Sequence, residues 1–477
     1  MFPLLRLVAP VFCCLCISTY AHADETREIL NYIDARYEQT AKVAEALWDY
    51  AEVGYQEVRS SRLLQDSLAA EGFTIQSGVA NIPTAFTATF GRGKPVIGIL
   101  AEFDALPGIN QDASPQRSPI KNKAAGQACG HNLFGAGSTG AAIAIRRWLE
   151  DSGTQGTIRV YGTPAEEGGS GKVYMVRAGL FDDVDVAMHW HPDDENGSFA
   201  RTSLANRSAK FRFRGVSAHA AGAPHKARSA LDGVEAFNHM INLMREHVPQ
   251  ETRIHYVITS GGNAPNVVPD FAEVFYYVRH PRADHLKDIW KRVEQAARGA
   301  ALGTGVAVDW EIIHGNHPLL INETLAKMMD KKMRIVGGVI YNRQEQAFAR
   351  KIYATLDNPH FALGDQTKVQ PYKVNQGYGS TDVGDVSLTV PTVGLSVATW
   401  VPGTSSHSWQ AVAASGTSIG FKGAQVAAKT LALGAIELFK NPELRNAARV
   451  EFELRRGADF TYEALLGDRA PPLDYRK

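Results

Sequence analysis

The chain has 477 residues, of which 44% are hydrophobic and 21% charged, and its 50 basic and 50 acidic side chains leave no net charge. A length well beyond about 250–300 residues argues for more than one core. Charge neutrality argues against nucleic acid or an anionic membrane surface as partner, and no apolar run of about 18 residues beyond the N-terminus offers a membrane span.

The chain opens with MFPLLRLVAPVFCCLCISTYAHADE. Arg6 precedes an apolar stretch from Leu7 to Ile17, and Ala21-His22-Ala23 forms a small-x-small site. This is the pattern of a secretory signal peptide over residues 1–23, cut after Ala23, which makes the mature protein periplasmic in a Gram-negative host. Cleavage removes Cys13, Cys14 and Cys16 and leaves Cys129 alone. An unpaired thiol in an oxidising compartment is a liability unless something occupies it, and a metal ion does so.

From Asp24 the apolar spacing of EILNYIDARYEQTAKVAEALWDYAEVG predicts helix. TAFTATF and PVIGILAEFDALPG read as strands, the second almost wholly apolar up to Leu100, as a sheet covered on both faces requires. A helix is expected over Leu133–Glu150, and GTIRVYGTPAEEGG and DDVDVAMHWHP add two buried strands that end in polar residues. This alternation predicts an α/β layer with a mostly parallel sheet.

Between about Leu204 and Pro318 the order becomes strand, helix, strand, strand, helix, strand, through SAKFRFRGVSAHA, RSALDGVEAFNHMINLMREH, TRIHYVITSGG, AEVFYYVRHP, HLKDIWKRVEQAARGAA and VAVDWEIIHG. That is the ferredoxin-like α+β order, inserted as residues 204–318 into a catalytic unit made of 24–203 and 319–477. VPTVGLSVAT and a long Ala-rich helix after Trp409 resume the α/β pattern. Residues 342–376 have weak periodicity and read as a helical insertion.

Polar residues gather where the strands end, the place where open α/β sheets bind ligands. Asp104 closes one strand, Cys129 and His131 precede a helix, Glu166 and Glu167 close a second strand, His189 and His191 a third, and His407 follows VATWVPGTSS. Each has an ordinary explanation on its own: a buried thiol, a solvated turn, a loop histidine. Cys129 with His131 also reads as a nucleophile and base, although no third group orients them. Together they form a thiolate, imidazole and carboxylate set suited to zinc, cobalt or manganese. Adjacent glutamates repel unless a cation holds one of them, which leaves the other to act as general base on a metal-activated water.

With these motifs in place, the sequence resembles the aminoacylase/carboxypeptidase clan of co-catalytic metallopeptidases. It looks most like the amidohydrolase branch that holds hippurate and auxin-conjugate hydrolases. EFDALPG, CGHNLFGAG, YGTPAEEGGSGKVYMVRAGLFDDVD, GVSAHAAGAPHKARSALDGV, NVVPD, STDVGDVS and GTSSHSWQ carry the likeness, in order, across the mature chain. The resemblance implies a di-metal peptidase-type domain with an inserted dimerisation (lid) domain, and two divalent ions, Zn²⁺ or Mn²⁺, per subunit. Cys129, His131, Glu167 and His407 match metal ligands, and His191 or His189 supplies one more. Glu166 matches the general base, and Asp104 the aspartate of a His-x-Asp motif whose histidine is Glu102 here. His219 matches the inserted-domain histidine that stabilises the oxyanion, while Asn266 and Arg279 match a clamp for the substrate carboxylate. The implied activity is hydrolysis of N-acyl or N-aroyl amino acids by a homodimer joined through the inserted domain. The competing readings are a dipeptidase of the same clan, a cysteine hydrolase using Cys129, and a non-catalytic periplasmic binding protein.

Overall fold

The computed structural model describes the backbone of residues 13–476 and the side chains of residues 24–476. The expected leader, residues 1–23, lies outside the fully described part. Among the described residues no helix is long and apolar enough to cross a membrane.

The larger unit is built on a six-stranded sheet. Its strands run Thr74–Ser77, Phe86–Arg92, Gly156–Gly162, Val96–Ala101, Val186–Met188 and Thr392–Val393 across the sheet. The first two are antiparallel to their neighbours and the rest are parallel. Val96–Ala101 is buried at every position, which its apolar run requires once helices cover both faces. Helices His131–Ser152 and Ser418–Lys440 pack together on one side. A Cβ at Gly137 would lie 2.9 Å from the Ala424 carbonyl oxygen, so a glycine sets how closely the two helices approach.

The second unit has its own core and a four-stranded antiparallel sheet, ordered Arg253–Ser260, Phe271–His280, Ala205–Arg214, Ala307–Asn316. Burial alternates along Phe271–His280, whose inward face meets helices Ala230–Met244 and Ala283–Thr304. Tyr277 and Arg279, two residues apart, share the opposite face. Arg253–Ser260 is the sheet edge, with Tyr256, Val257 and Ile258 exposed.

Several elements differ from the sequence reading. DDVDVAMHWHP gives two short strands, Val186–Met188 in the main sheet and His191–Asp193 paired with Ser396–Ala398. The turn between them sends the two histidines to different places. A further helix at Val58–Ala69, polar with one face buried, lies between the helical stretch and the first strand, where the sequence reading assigns no element. The Ala-rich helix is broken at Gly416-Thr417 into Trp409–Ser415 and Ser418–Lys440. Residues 342–376 are helical only over Arg343–Tyr353; they go on through a 3-10 turn to Val374–Gln376, paired with Ala200–Thr202.

Candidate active site

Four loops at the carboxyl ends of the parallel strands bring the predicted side chains together. Gly130, at φ 73°, makes the left-handed turn between Cys129 and helix His131–Ser152, and a Cβ there would meet Pro192 at 2.7 Å. That turn lets thiol and imidazole face one point. Cys129 Sγ lies 3.5 Å from His191 Nε2. The His407 backbone N–H donates to the Ala128 carbonyl at 2.9 Å, and the His407 Nε2 sits 3.2 Å from Glu167 Oε1.

Asp104 ties two of these groups down. One of its oxygens lies 3.0 Å from His131 Nδ1, and the other accepts the Glu167 backbone N–H at 2.9 Å. A carboxylate on Nδ1 fixes the ring and turns Nε2 into the site. Three non-glycine residues here, Ala165, Ser170 and His407, hold left-handed backbone at φ 57°, 61° and 59°. Such strain persists only where the surroundings over-determine it.

The donor atoms form three sets, each with its members within 4.8 Å of one another: Cys129, His131 and His191; Cys129, Glu167 and His407; Glu102, His131 and Glu166. Cys129 is common to the first two. His131 Nε2 and Glu102 Oε2 lie 3.1 Å apart, yet both are buried without a hydrogen bond, and Glu167 Oε1 has only the His407 ring beside it at 3.2 Å. Buried polar atoms left unpaired cost about 1–3 kcal/mol each, and a cation among them removes the cost. The residues therefore fit divalent ions. His189 is elsewhere, its ring buried against Gly394 and held near pKa 4 by burial.

Electrostatics divides the two glutamates. Burial, then the charges of Glu102 and Glu167, push the Glu166 carboxyl well above its usual range. Burial also acts on Glu167, but the hydrogen bond and charge of His407 outweigh it and keep that carboxyl low. For the Cys129 thiol, burial is overcome by His131 and His191, which bring it down to about 6.

A lysine unassigned from sequence lies beneath the site. Lys172, fully buried, places its Nζ 2.7 Å from both Glu102 and Asp382, and its backbone N–H also donates to Asp382. Lys172 lies inside GGSGKVYM and Asp382 inside STDVGDVS, two of the stretches that carry the family likeness. A cation amid VYM on a short apolar helix was the available signal. Lys172→Met leaves two buried carboxylates without their cation and is expected to lower unfolding free energy by about 3–5 kcal/mol, read by urea denaturation.

The lid residues are placed differently. His219 and Asn266 are exposed on adjoining turns of the second unit, joined by the Ala220 N–H to the Asn266 carbonyl at 3.0 Å, and among the described residues neither makes a hydrogen bond or ion pair to the Cys129 cluster. Arg279 is half-buried over the Tyr277 ring, and Tyr277 faces Glu167.

Comparison with known proteins bears on this geometry. Residues 205–304 match the model of the peptidase dimerisation domain of M20 proteins. The chain is 40% identical over 458 residues to one of the subunits of p-aminobenzoyl-glutamate hydrolase from Escherichia coli, covering 90% of this chain and 95% of that protein. The chain belongs to the M20 peptidase family. Like its M20 relatives it is a hydrolase of amide bonds. It is 28% identical over 445 residues to the mouse Xaa-Arg dipeptidase, covering 90% of this chain and 92% of that one. A dinuclear metal binding peptidase of the M20 family from Bacillus subtilis shares the fold, with a TM-score of 0.57 at 17% identity over 85% of this chain and 99% of that one.

Proposed function

We propose that this M20 protein hydrolyses N-acyl or N-aroyl amino acids, p-aminobenzoyl-glutamate or similar conjugates, at a centre of two divalent ions. Cys129, His131 and His191 would hold one ion, and Cys129, Glu167 and His407 the other. The observation that carries the reading is the thiol shared between two donor sets, beside the buried His131 Nε2, which has no hydrogen bond. Thiolate, imidazole and carboxylate suit Zn²⁺ or Mn²⁺. When bound, such ions supply Lewis acidity toward the amide carbonyl and toward the attacking water.

The chain's own residues do the rest. Glu166 takes a proton from water as the carboxylate and returns it to the leaving amine nitrogen; burial and the neighbouring carboxylates raise its affinity for that proton. Asp104 holds the His131 ring and the Glu167 backbone in register. Backbone N–H groups of Ala221 and Gly222 donate to His219 Nδ1, which leaves Nε2 as the N–H donor a developing oxyanion needs. Arg279 binds the free carboxylate together with Asn266, which adjoins His219 and enters with it from a second copy.

Since His219 does not reach the cluster of its own chain, we place it in the site of a second copy. The exposed edge strand with Tyr256, Val257 and Ile258, beside Met240 and Leu243 of the adjoining helix, supports a homodimer through this unit. Sedimentation is expected to give twice the chain mass, and Val257→Glu the mass of one chain. A monomeric active wild type would contradict the assignment. The leader pattern supports export to the periplasm.

A dipeptidase is the second reading, favoured by the likeness to the mouse enzyme. A free α-amine needs a carboxylate partner, and Glu102 and Asp382 are already committed to Lys172. The test is turnover of N-benzoyl, N-acetyl and p-aminobenzoyl amino acids against dipeptides with a free amine. Faster cleavage of the acylated compounds is expected, and the reverse order would replace the first reading with the second.

A further inference from the structure

Residues 457–476 take no part in the hydrolytic chemistry, yet they reach the active site. After helix Pro442–Arg456 the backbone runs along the seam between the two units. Leu465 enters the core of the lid and Leu466 the core of the catalytic unit. Arg469 donates to Glu311 at 2.6 Å and to the Ile312 carbonyl. Tyr475 and Arg476 then both donate to the Glu167 carbonyl oxygen, at 3.0 and 2.7 Å. The Tyr475 ring packs on Tyr55, whose hydroxyl donates to the Gly169 carbonyl at 2.6 Å.

One neutral carbonyl does not balance a guanidinium. Among the described residues Arg476 has no carboxylate in ion-pair contact, and the Glu167 carboxylate, the acidic group that bears on it, is paired with His407. Arg279 is in the same state: half-buried, without an ion pair among the described residues, its Nε buried and without a hydrogen bond. Arg279 lies over the Tyr277 ring at 5.6 Å, and the Tyr277 hydroxyl and Arg476 Nη2 both adjoin Gly168, so the two arginines border the same Glu166–Gly169 turn. Gly168 lets the turn approach both groups closely; a Cβ there would lie 2.9 Å from the Tyr277 hydroxyl and 3.6 Å from Arg476 Nη2. Buried cations in proteins are paired, and two guanidinia beside one turn, without an ion pair among the described residues, select anionic groups.

We propose that Arg476 joins Arg279 in a two-arginine carboxylate site, and that the substrate is an N-acyl amino acid with an acidic side chain, one guanidinium serving each carboxylate. The inference rests on the hydrolase reading for the place of the ligand. It adds a specificity residue from the C-terminal segment, one that would read the side-chain carboxylate of a substrate such as p-aminobenzoyl-glutamate.

N-Benzoyl-glutamate and N-benzoyl-glutamine differ by one charge at nearly constant shape, so they read Arg476 directly. The full chain is expected to favour the glutamate compound in kcat/KM by about 10–100-fold, the range of a charge-assisted hydrogen bond. Arg476→Gln is expected to bring that ratio close to one by raising KM for the glutamate compound, and Arg476→Lys to keep most of the preference. If Arg476 only braces the Glu167 carbonyl, kcat falls for both compounds and the ratio is kept, which overturns the proposal. A wild type without preference overturns it as well. Calorimetric binding of free glutamate and glutamine separates the two claims. Charge-selective binding that depends on Arg476, in a chain that cleaves no amide, keeps the carboxylate site and removes the hydrolase reading. Hydrolysis without charge preference does the opposite.

Discussion

Glu166→Gln is expected to lower kcat by about 10²–10⁴-fold, the usual range for a lost general acid–base group. Metal content and KM are expected to stay near wild type. Glu166 and Glu167 are neighbours in sequence, but their surroundings separate them. Glu167 faces His407 and is held ionised, as a ligand must be, whereas Glu166 lies among Glu102, His131 and Asp382 and is driven toward the protonated form. The amide isostere keeps shape and hydrogen bonding while removing the site that accepts the proton. Turnover measured beside metal analysis checks the division. A Glu166→Gln enzyme that loses its metal in proportion to its activity would make Glu166 a ligand.

Cys129→Ala is expected to have the second large effect, through binding rather than chemistry. Cys129 is the donor common to the two sets assigned to the ions, so its removal strips a ligand from both. Outer partners of metal ligands are worth roughly 10–100-fold in affinity, and a shared inner ligand is expected to exceed that range. The purified variant should hold well under half the wild-type metal. Cys129→Asp separates ligand from nucleophile, because a carboxylate can replace a thiolate as a ligand but not in attack on the carbonyl at this site. Retained metal with measurable turnover in Cys129→Asp is the expected result. Full metal with no turnover in both variants would favour the cysteine-hydrolase reading.

Much of the site was legible because its chemistry is local. Cys129 and His131 are two residues apart and Glu166 and Glu167 are adjacent, so spacing alone announced them, and strand ends placed them on one side of a sheet. The choice between His189 and His191 was not legible. It depends on where the main sheet stops, and the short strand His191–Asp193 leaves that sheet to pair with Ser396–Ala398 from nearly the other end of the chain. Lys172 and Asp382 were hidden for a similar reason: 210 residues separate them, and a lone lysine reads as surface until its partners are known. Arg476 lay beyond reach altogether, since only the path of residues 457–476 between two cores brings it to Glu167. The order of strands in the second unit was readable from its alternating polarity, whereas the break of the Ala-rich helix at Gly416-Thr417 lay in a stretch whose composition favours helix on both sides.

The most direct test of the metal centre is the metal content of the purified chain, measured together with hydrolysis of p-aminobenzoyl-glutamate before and after chelation. Two divalent ions per chain, activity lost with the ions and restored by Zn²⁺ or Mn²⁺, are the predicted results. Turnover that survives complete removal of metal would contradict the account at its base.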